Sequence, residues 1–263
     1  MSRLPHVAAG PTDAPAVVLL HGFPTSSRLW RSLQPALVPA MRSVAPDLFR
    51  TDGADVDRET EAVRALLDDL GIASCAVVGH GHGAAVARRL AAVLDVRALV
   101  LIDDVEGAAM GDLDATDVSR AFADLFAEGL GHPERLPLEV LEAYAAPFVA
   151  EPDLFGRVGA ALARRADPPP SADVPTLLLW GEDDPYAPVE RAERLADAIP
   201  GATLAVLPGC SHFLPDDAAD TVVPLVVEWL RGRYLGSPHR HAEGPVEVFL
   251  GRRPPPEAER MDT

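Results

Sequence analysis

The stretch Cys75-Ala76-Val77-Val78-Gly79-His80-Gly81-His82-Gly83-Ala84-Ala85 decides the fold. Its first four residues are a continuous apolar run, the pattern of a strand buried on both faces. Glycines follow at 79, 81 and 83, and Ala84, Ala85, Val86, Ala87 and Leu90 then read as a helix. Positions without a Cβ let that helix turn back tightly against the strand. Such a turn thrusts its central residue out at the sheet edge. The central residue is Gly81, which has no side chain to present.

Moving outward, Ala16–Leu20 is a second apolar run, ending at His21-Gly22. Ser27–Leu37 reads as a helix with Trp30, Leu33 and Leu37 on one face, and Val44–Asp47 as a strand. Asp57–Leu70 is the clearest amphipathic helix, with Val63, Leu66, Leu67 and Leu70 at i, i+3, i+4, i+7; Asp57 can cap it and Gly71 ends it. Ala98–Ile102 is the next strand, closed by Asp103-Asp104. The rhythm breaks near Val105, where three helix-like pieces follow: Asp117–Glu128, Leu138–Val149 and Leu154–Arg165. It resumes with strand Thr176–Trp180, helix Val189–Ile199, strand Thr203–Leu207 and helix Val222–Arg233.

Strands alternating with helices predict an α/β fold with a mostly parallel, doubly wound sheet. Residues 1–104 and 175–235 form the core, 105–174 a helical insertion capping a site, and 236–263 a loosely ordered tail. Within the tail, Val246–Leu250 could form a short strand.

The chain has 263 residues and a formal net charge of −17, which disfavours nucleic acid and anionic membranes as partners. It contains no lysine, so no Schiff base and no lysine general base can form. The N-terminal residues carry no apolar run of signal-peptide length, and no stretch is long and apolar enough to span a membrane. With two cysteines, Cys75 and Cys210, not expected to pair, the reading is a cytoplasmic protein.

Four motifs in order carry a resemblance. They are His21-Gly22-Phe23-Pro24, Gly79-His80-Gly81-His82-Gly83, Trp180-Gly181-Glu182-Asp183-Asp184-Pro185-Tyr186-Ala187-Pro188 and Pro208-Gly209-Cys210-Ser211-His212-Phe213. Over roughly Ala14 to Arg233 the chain resembles the α/β-hydrolase superfamily, on the branch of epoxide hydrolases, haloalkane dehalogenases and small esterases. The resemblance implies an α/β-hydrolase fold with a helical cap. It implies Asp184 as triad acid, His212 as triad base, and the backbone N–H groups of Phe23 and His82 as oxyanion hole. Asp103 and Asp104 are a second choice for the acid, at another position that the family uses.

Two features depart from that family. Gly81 stands where a Ser, Asp or Cys nucleophile is expected, and His80 and His82 point away from the tip of the turn. The family's Asp-x-x-Gly-x-Gly loop is replaced by Asp47-Leu48-Phe49-Arg50-Thr51-Asp52, where Arg50 is a candidate clamp for a substrate carboxylate. No His-x-x-x-His or Cys-x-x-Cys spacing is present, so no metal and no cofactor are expected. Phe122, Phe126, Tyr144 and Phe148, with Phe23, His21 and Trp30, are candidate walls of an apolar pocket for a small-molecule substrate. The expected function is non-covalent general-base catalysis by His212 on a partly apolar carbonyl or ester compound. The alternative is a catalytically silent protein that binds a small molecule in the capped pocket.

Overall fold

The structure, a computed structural model, describes residues 4–49, 55–106, 117–164, 168 and 174–236. Arg50 and the Val246–Leu250 segment lie outside the described residues. A seven-stranded sheet runs in the order β1-β3-β2-β4-β5-β6-β7. Its strands are β1 (His6–Ala9), β2 (Ala16–Leu20), β3 (Arg42–Pro46), β4 (Ser74–His80), β5 (Asp95–Ile102), β6 (Thr176–Gly181) and β7 (Thr203–Leu207). All neighbours pair in parallel except β1, which runs antiparallel to β3. The chain winds from β2 to β3 on one side, then crosses back to β4 on the other. The C-terminal ends of β2 and β4 therefore flank the switch point, where open α/β sheets bind ligands. Register fixes this closely, since Leu20 pairs with Gly79.

Alternation along the strands divides the core into two layers. Val18, Leu20 and Val77 face one layer, together with α2 (Val56–Asp69), α3 (His82–Ala91) and α7 (Val189–Ala198). Val17, Leu19, Ala76 and Val78 face the other, with α1 (Leu33–Leu37) and α9 (Ala219–Arg233). Trp30 is fully buried in this second layer among Leu29, Leu33 and Leu37. It packs on the face of the sheet opposite the aromatic residues of the helical segment and is not a pocket wall, contrary to the sequence reading.

Between β5 and β6 the chain forms α4 (Val118–Gly129), α5 (Leu138–Ala150) and α6 (Pro152–Ala163). Phe122, Phe126, Tyr144, Phe148 and Phe155 from these helices join Phe23 and Phe213 of the core in one apolar cluster. Phe126 stacks on Phe213 with ring centroids 4.4 Å apart, and Phe213 N–H donates to the Gly129 carbonyl. The Tyr144 hydroxyl donates to the buried Asp216 carboxylate at 3.2 Å, which Arg31 also contacts.

Several boundaries differ from expectation. Ser27–Leu37 divides into a 3-10 turn, Ser27–Trp30, and the short α1. The cap of α2 is Asp55, accepting from Arg58 N–H, because Asp57 already lies in the first helical turn. β1 and the one-turn α8 (Leu214–Asp217) were not foreseen; each is four residues long, too short for periodicity to register. Among the described residues, no helix is long and apolar enough to cross a membrane.

Candidate active site

The turn between β4 and α3 is shaped by its glycines for two different reasons. A Cβ on Gly79 would sit 2.4 Å from the Gly83 carbonyl, and one on Gly83 would sit 2.2 Å from the Leu20 carbonyl. Those two positions need glycine for close approach. Gly81 is different. Its φ of 54° and ψ of −119° strain any side chain, yet the space is open. A Cβ there would lie 3.5 Å from Gly22 Cα and 3.5 Å from His212 Nε2, ordinary contact distances.

His212 follows β7, and Asp184 follows β6. The His212 Nδ1–H donates to Asp184 Oδ2 at 2.8 Å. The other carboxylate oxygen accepts from the N–H groups of Tyr186 and Ala187 at 2.8 and 2.9 Å. The acid is thus anchored by its own turn, and it fixes the tautomer that leaves Nε2 as a base facing Gly81. His80, inside β4, donates from Nε2 to the His212 carbonyl at 2.9 Å. Burial and the neighbouring His212 hold His80 well below the usual histidine range, so it serves as a neutral strut under the base.

Asp103 and Asp104 take separate roles, and neither receives the His212 proton. Asp104 is buried between two guanidiniums, with Arg88 Nε at 2.8 Å and Arg191 Nη2 at 3.2 Å. Asp103, at a φ of 46°, accepts the Gly181 N–H at 2.9 Å. Burial, then the charge of Asp184, pushes its carboxyl well above the usual range. Asp103 is thereby favoured to hold a proton.

The first loop supplies Phe23, whose ring meets Phe49, Phe148 and Phe155 at centroid distances of 5.9, 5.5 and 5.0 Å. Its Phe23–Pro24 peptide is cis. The His82 N–H opens α3, where helix geometry provides no intrahelical acceptor. The His82 side chain turns away and donates from Nε2 to Glu59 at 2.6 Å. The other Glu59 oxygen accepts the Phe49 N–H at 2.8 Å. Glu59 was not singled out in the sequence, because it sits on α2 among solvent-facing charges. Its place in the pattern, four residues before Val63 on the apolar face, was the available signal.

His21 is also committed to the backbone. Its Nε2 accepts the Leu48 N–H at 2.8 Å, and its Nδ1–H donates to the Gly22 carbonyl at 2.9 Å. Burial lowers its pKa, so it stays neutral. Its ring lines a cavity of ≈ 170 Å³ with Thr25, Ser27, Leu48, Phe49 and Phe148. Neither Gly81 nor His212 borders this cavity. His212 is 2% exposed, and Phe122, Phe126 and Phe148 of the helical segment are buried as well.

Comparison with known proteins agrees with this fold. Residues 17–225 match the model of the alpha/beta hydrolase family. A haloalkane dehalogenase of Bradyrhizobium diazoefficiens is 26% identical, covering 88% of this chain and 92% of its own. Epoxide hydrolase 4 of Mus musculus is also 26% identical, over 87% of this chain and 76% of its own. Among solved structures, an epoxide hydrolase from metagenomes of hot environments superposes with a TM-score of 0.68 at 26% identity, over 87% of this chain and 95% of its own. A thermophilic esterase from Thermogutta terrifontis shares the fold, with a TM-score of 0.74 at 23% identity over 87% of this chain and 93% of its own. With the ordered motifs, the parallel sheet and a family match across most of its length, the chain belongs to the alpha/beta hydrolase family.

Proposed function

We propose that this protein is a hydrolase-fold enzyme that acts on a small to medium, partly apolar carbonyl or ester-type compound without a covalent enzyme intermediate. One observation carries the reading: a base oriented by a buried carboxylate faces an open position where Gly81 offers no nucleophile. A substrate group or a water entering that gap would give its proton to His212 Nε2. The Phe23 and His82 N–H groups would stabilise the developing oxyanion. With substrate in the gap, elimination, cyclisation or epimerisation results; with water there, direct hydrolysis. The apolar walls of Phe23, Phe122, Phe126 and Phe148 favour a substrate with a hydrocarbon portion. The 105–174 segment acts as the cap, opening to admit substrate.

Replacing His212 with Ala tests the reading. Turnover should fall by about 10²–10⁴-fold while ligand affinity survives. Intact-protein mass spectrometry during turnover should show no adduct. Unchanged turnover in the variant, or a covalent adduct, would overturn the proposal. A chain that binds ligand but turns over none of the carbonyl or ester candidates would support the silent binder instead.

A further inference from the structure

A second cluster of chemistry-bearing side chains lies beside the candidate site. His132 follows α4, Cys210 follows β7, and Asp217 ends α8. One ligand atom from each lies within 4.8 Å of the others. We propose that these three residues form a binding site for a thiophilic divalent cation of the zinc type, which ties the helical segment to the loop carrying His212.

The donor set fits that cation. Zinc takes imidazole nitrogen, thiolate sulfur and carboxylate oxygen, commonly with a fourth position open to water. His132 Nδ1 and Asp217 Oδ1 are 3.3 Å apart, against an edge of about 3.4 Å in a tetrahedron with bonds of about 2.0–2.1 Å. His132 Nδ1 is buried without a hydrogen-bond partner, although it faces the carboxylate at 3.3 Å. The carboxylate is held in advance. Oδ1 accepts the His132 N–H at 2.6 Å, and Oδ2 accepts those of Gly131 and Ser211 at 3.1 and 2.8 Å. One Oδ1 lone pair remains for the cation, and the backbone donors orient it as outer partners do in metal sites. Arg135 lies nearby, donating to the Asp217 carbonyl, but Asp220 offsets its charge at 3.7 Å. The His132 side chain is 33% exposed, which provides the entry path and the open coordination position. On binding, the Cys210 thiol releases its proton to solvent and the thiolate sulfur coordinates the ion. Sequence spacing could not show the site, since its residues come from three separate segments.

Cobalt(II) is the probe. Added to the intact protein, it should give a thiolate-to-metal charge-transfer band saturating at one equivalent, and zinc should displace it. The band should disappear in Cys210→Ser and in His132→Ala. Cys75, the other cysteine, opens β4 at the far end of the sheet and cannot substitute. Zinc should raise the melting temperature of the unmodified protein and leave that of His132→Ala unchanged. His132 is partly exposed, so this variant remains a test if Cys210→Ser fails to fold. A folded protein that shows no thiolate band, or a cobalt spectrum of nitrogen and oxygen ligands alone, would overturn the proposal. The latter result would mean binding elsewhere, as at His80, Asp103 and His212, whose ligand atoms also lie within 4.8 Å of one another.

Discussion

Gly81 combines an unfavourable backbone with open space. A residue with a Cβ must accept a φ of 54° and a ψ of −119°, a conformation that costs about 1–3 kcal/mol outside glycine. Gly81→Ser should therefore unfold at lower denaturant concentration by about that amount. It should also gain hydrolysis of activated esters, since the new Cβ lies 3.5 Å from His212 Nε2. No gain in a folded variant would mean that the base or the oxyanion donors are misaligned. Asp103 offers a test of opposite sign. Its carboxyl is raised in the fold, so the native state holds more protons there than the unfolded chain. Its contribution to stability is thus fully favourable below the ordinary carboxylate value and declines as pH rises through the window up to the folded value. Asp103→Asn removes that decline. The variant should melt higher than the parent at neutral pH, with the difference closing on acidification below the ordinary aspartate pKa. An Asn variant less stable at neutral pH would contradict the assignment.

At the scale of elements, much of the design was legible. Continuous apolar runs marked β2, β4, β5 and β6 because both sheet faces are covered, and the 3.6-residue period marked α2. His212 and Asp184 were readable because each follows a strand in a short ordered motif, and the structure brings them to 2.8 Å. Trp30 was misread because an apolar residue near a site-bearing loop does not reveal which face of the sheet it meets. Asp104 was misplaced because its partners, Arg88 and Arg191, are remote in sequence. Glu59 was missed for the same reason, and it is open to test. It joins α2 to α3 through His82 and holds the loop after β3 through Phe49 N–H. Glu59→Ala leaves the buried His82 Nε2–H and Phe49 N–H without their acceptor and should cost about 1–3 kcal/mol for each in unfolding free energy. In the proposed mechanism His82 N–H is also an oxyanion donor, so the variant should lose turnover as well, which steady-state kinetics would read.

For the whole molecule, the topology assembles the candidate site, and in the proposed function the helical segment closes it. The winding about β2 places the Phe23 loop next to the Gly81 turn, and β6 and β7 deliver acid and base to the same edge of the sheet. Tyr144 links α5 to the core through Asp216. Tyr144→Phe leaves a buried carboxylate oxygen without that donor, at a cost of about 1–3 kcal/mol, and should increase protease cleavage within α5. Cleavage unchanged from the parent would show that α5 is held by apolar packing alone.

The Asp217 carboxylate has a dynamic consequence. It gathers N–H groups from both ends of the closure, Gly131 and His132 just after α4 and Ser211 just before the base. Any swing that lifts the end of α4 would also pull on the residue preceding His212. The end of α4 is therefore moored to the loop that carries His212, and α5 to Asp216, which leaves α6 as the helix expected to open first. In amide hydrogen exchange, the His132 and Ser211 protons should exchange together and late, and the amides of α6 early. An opening along α6 would admit solvent to His212 while the Asp217 contacts keep the ring's orientation.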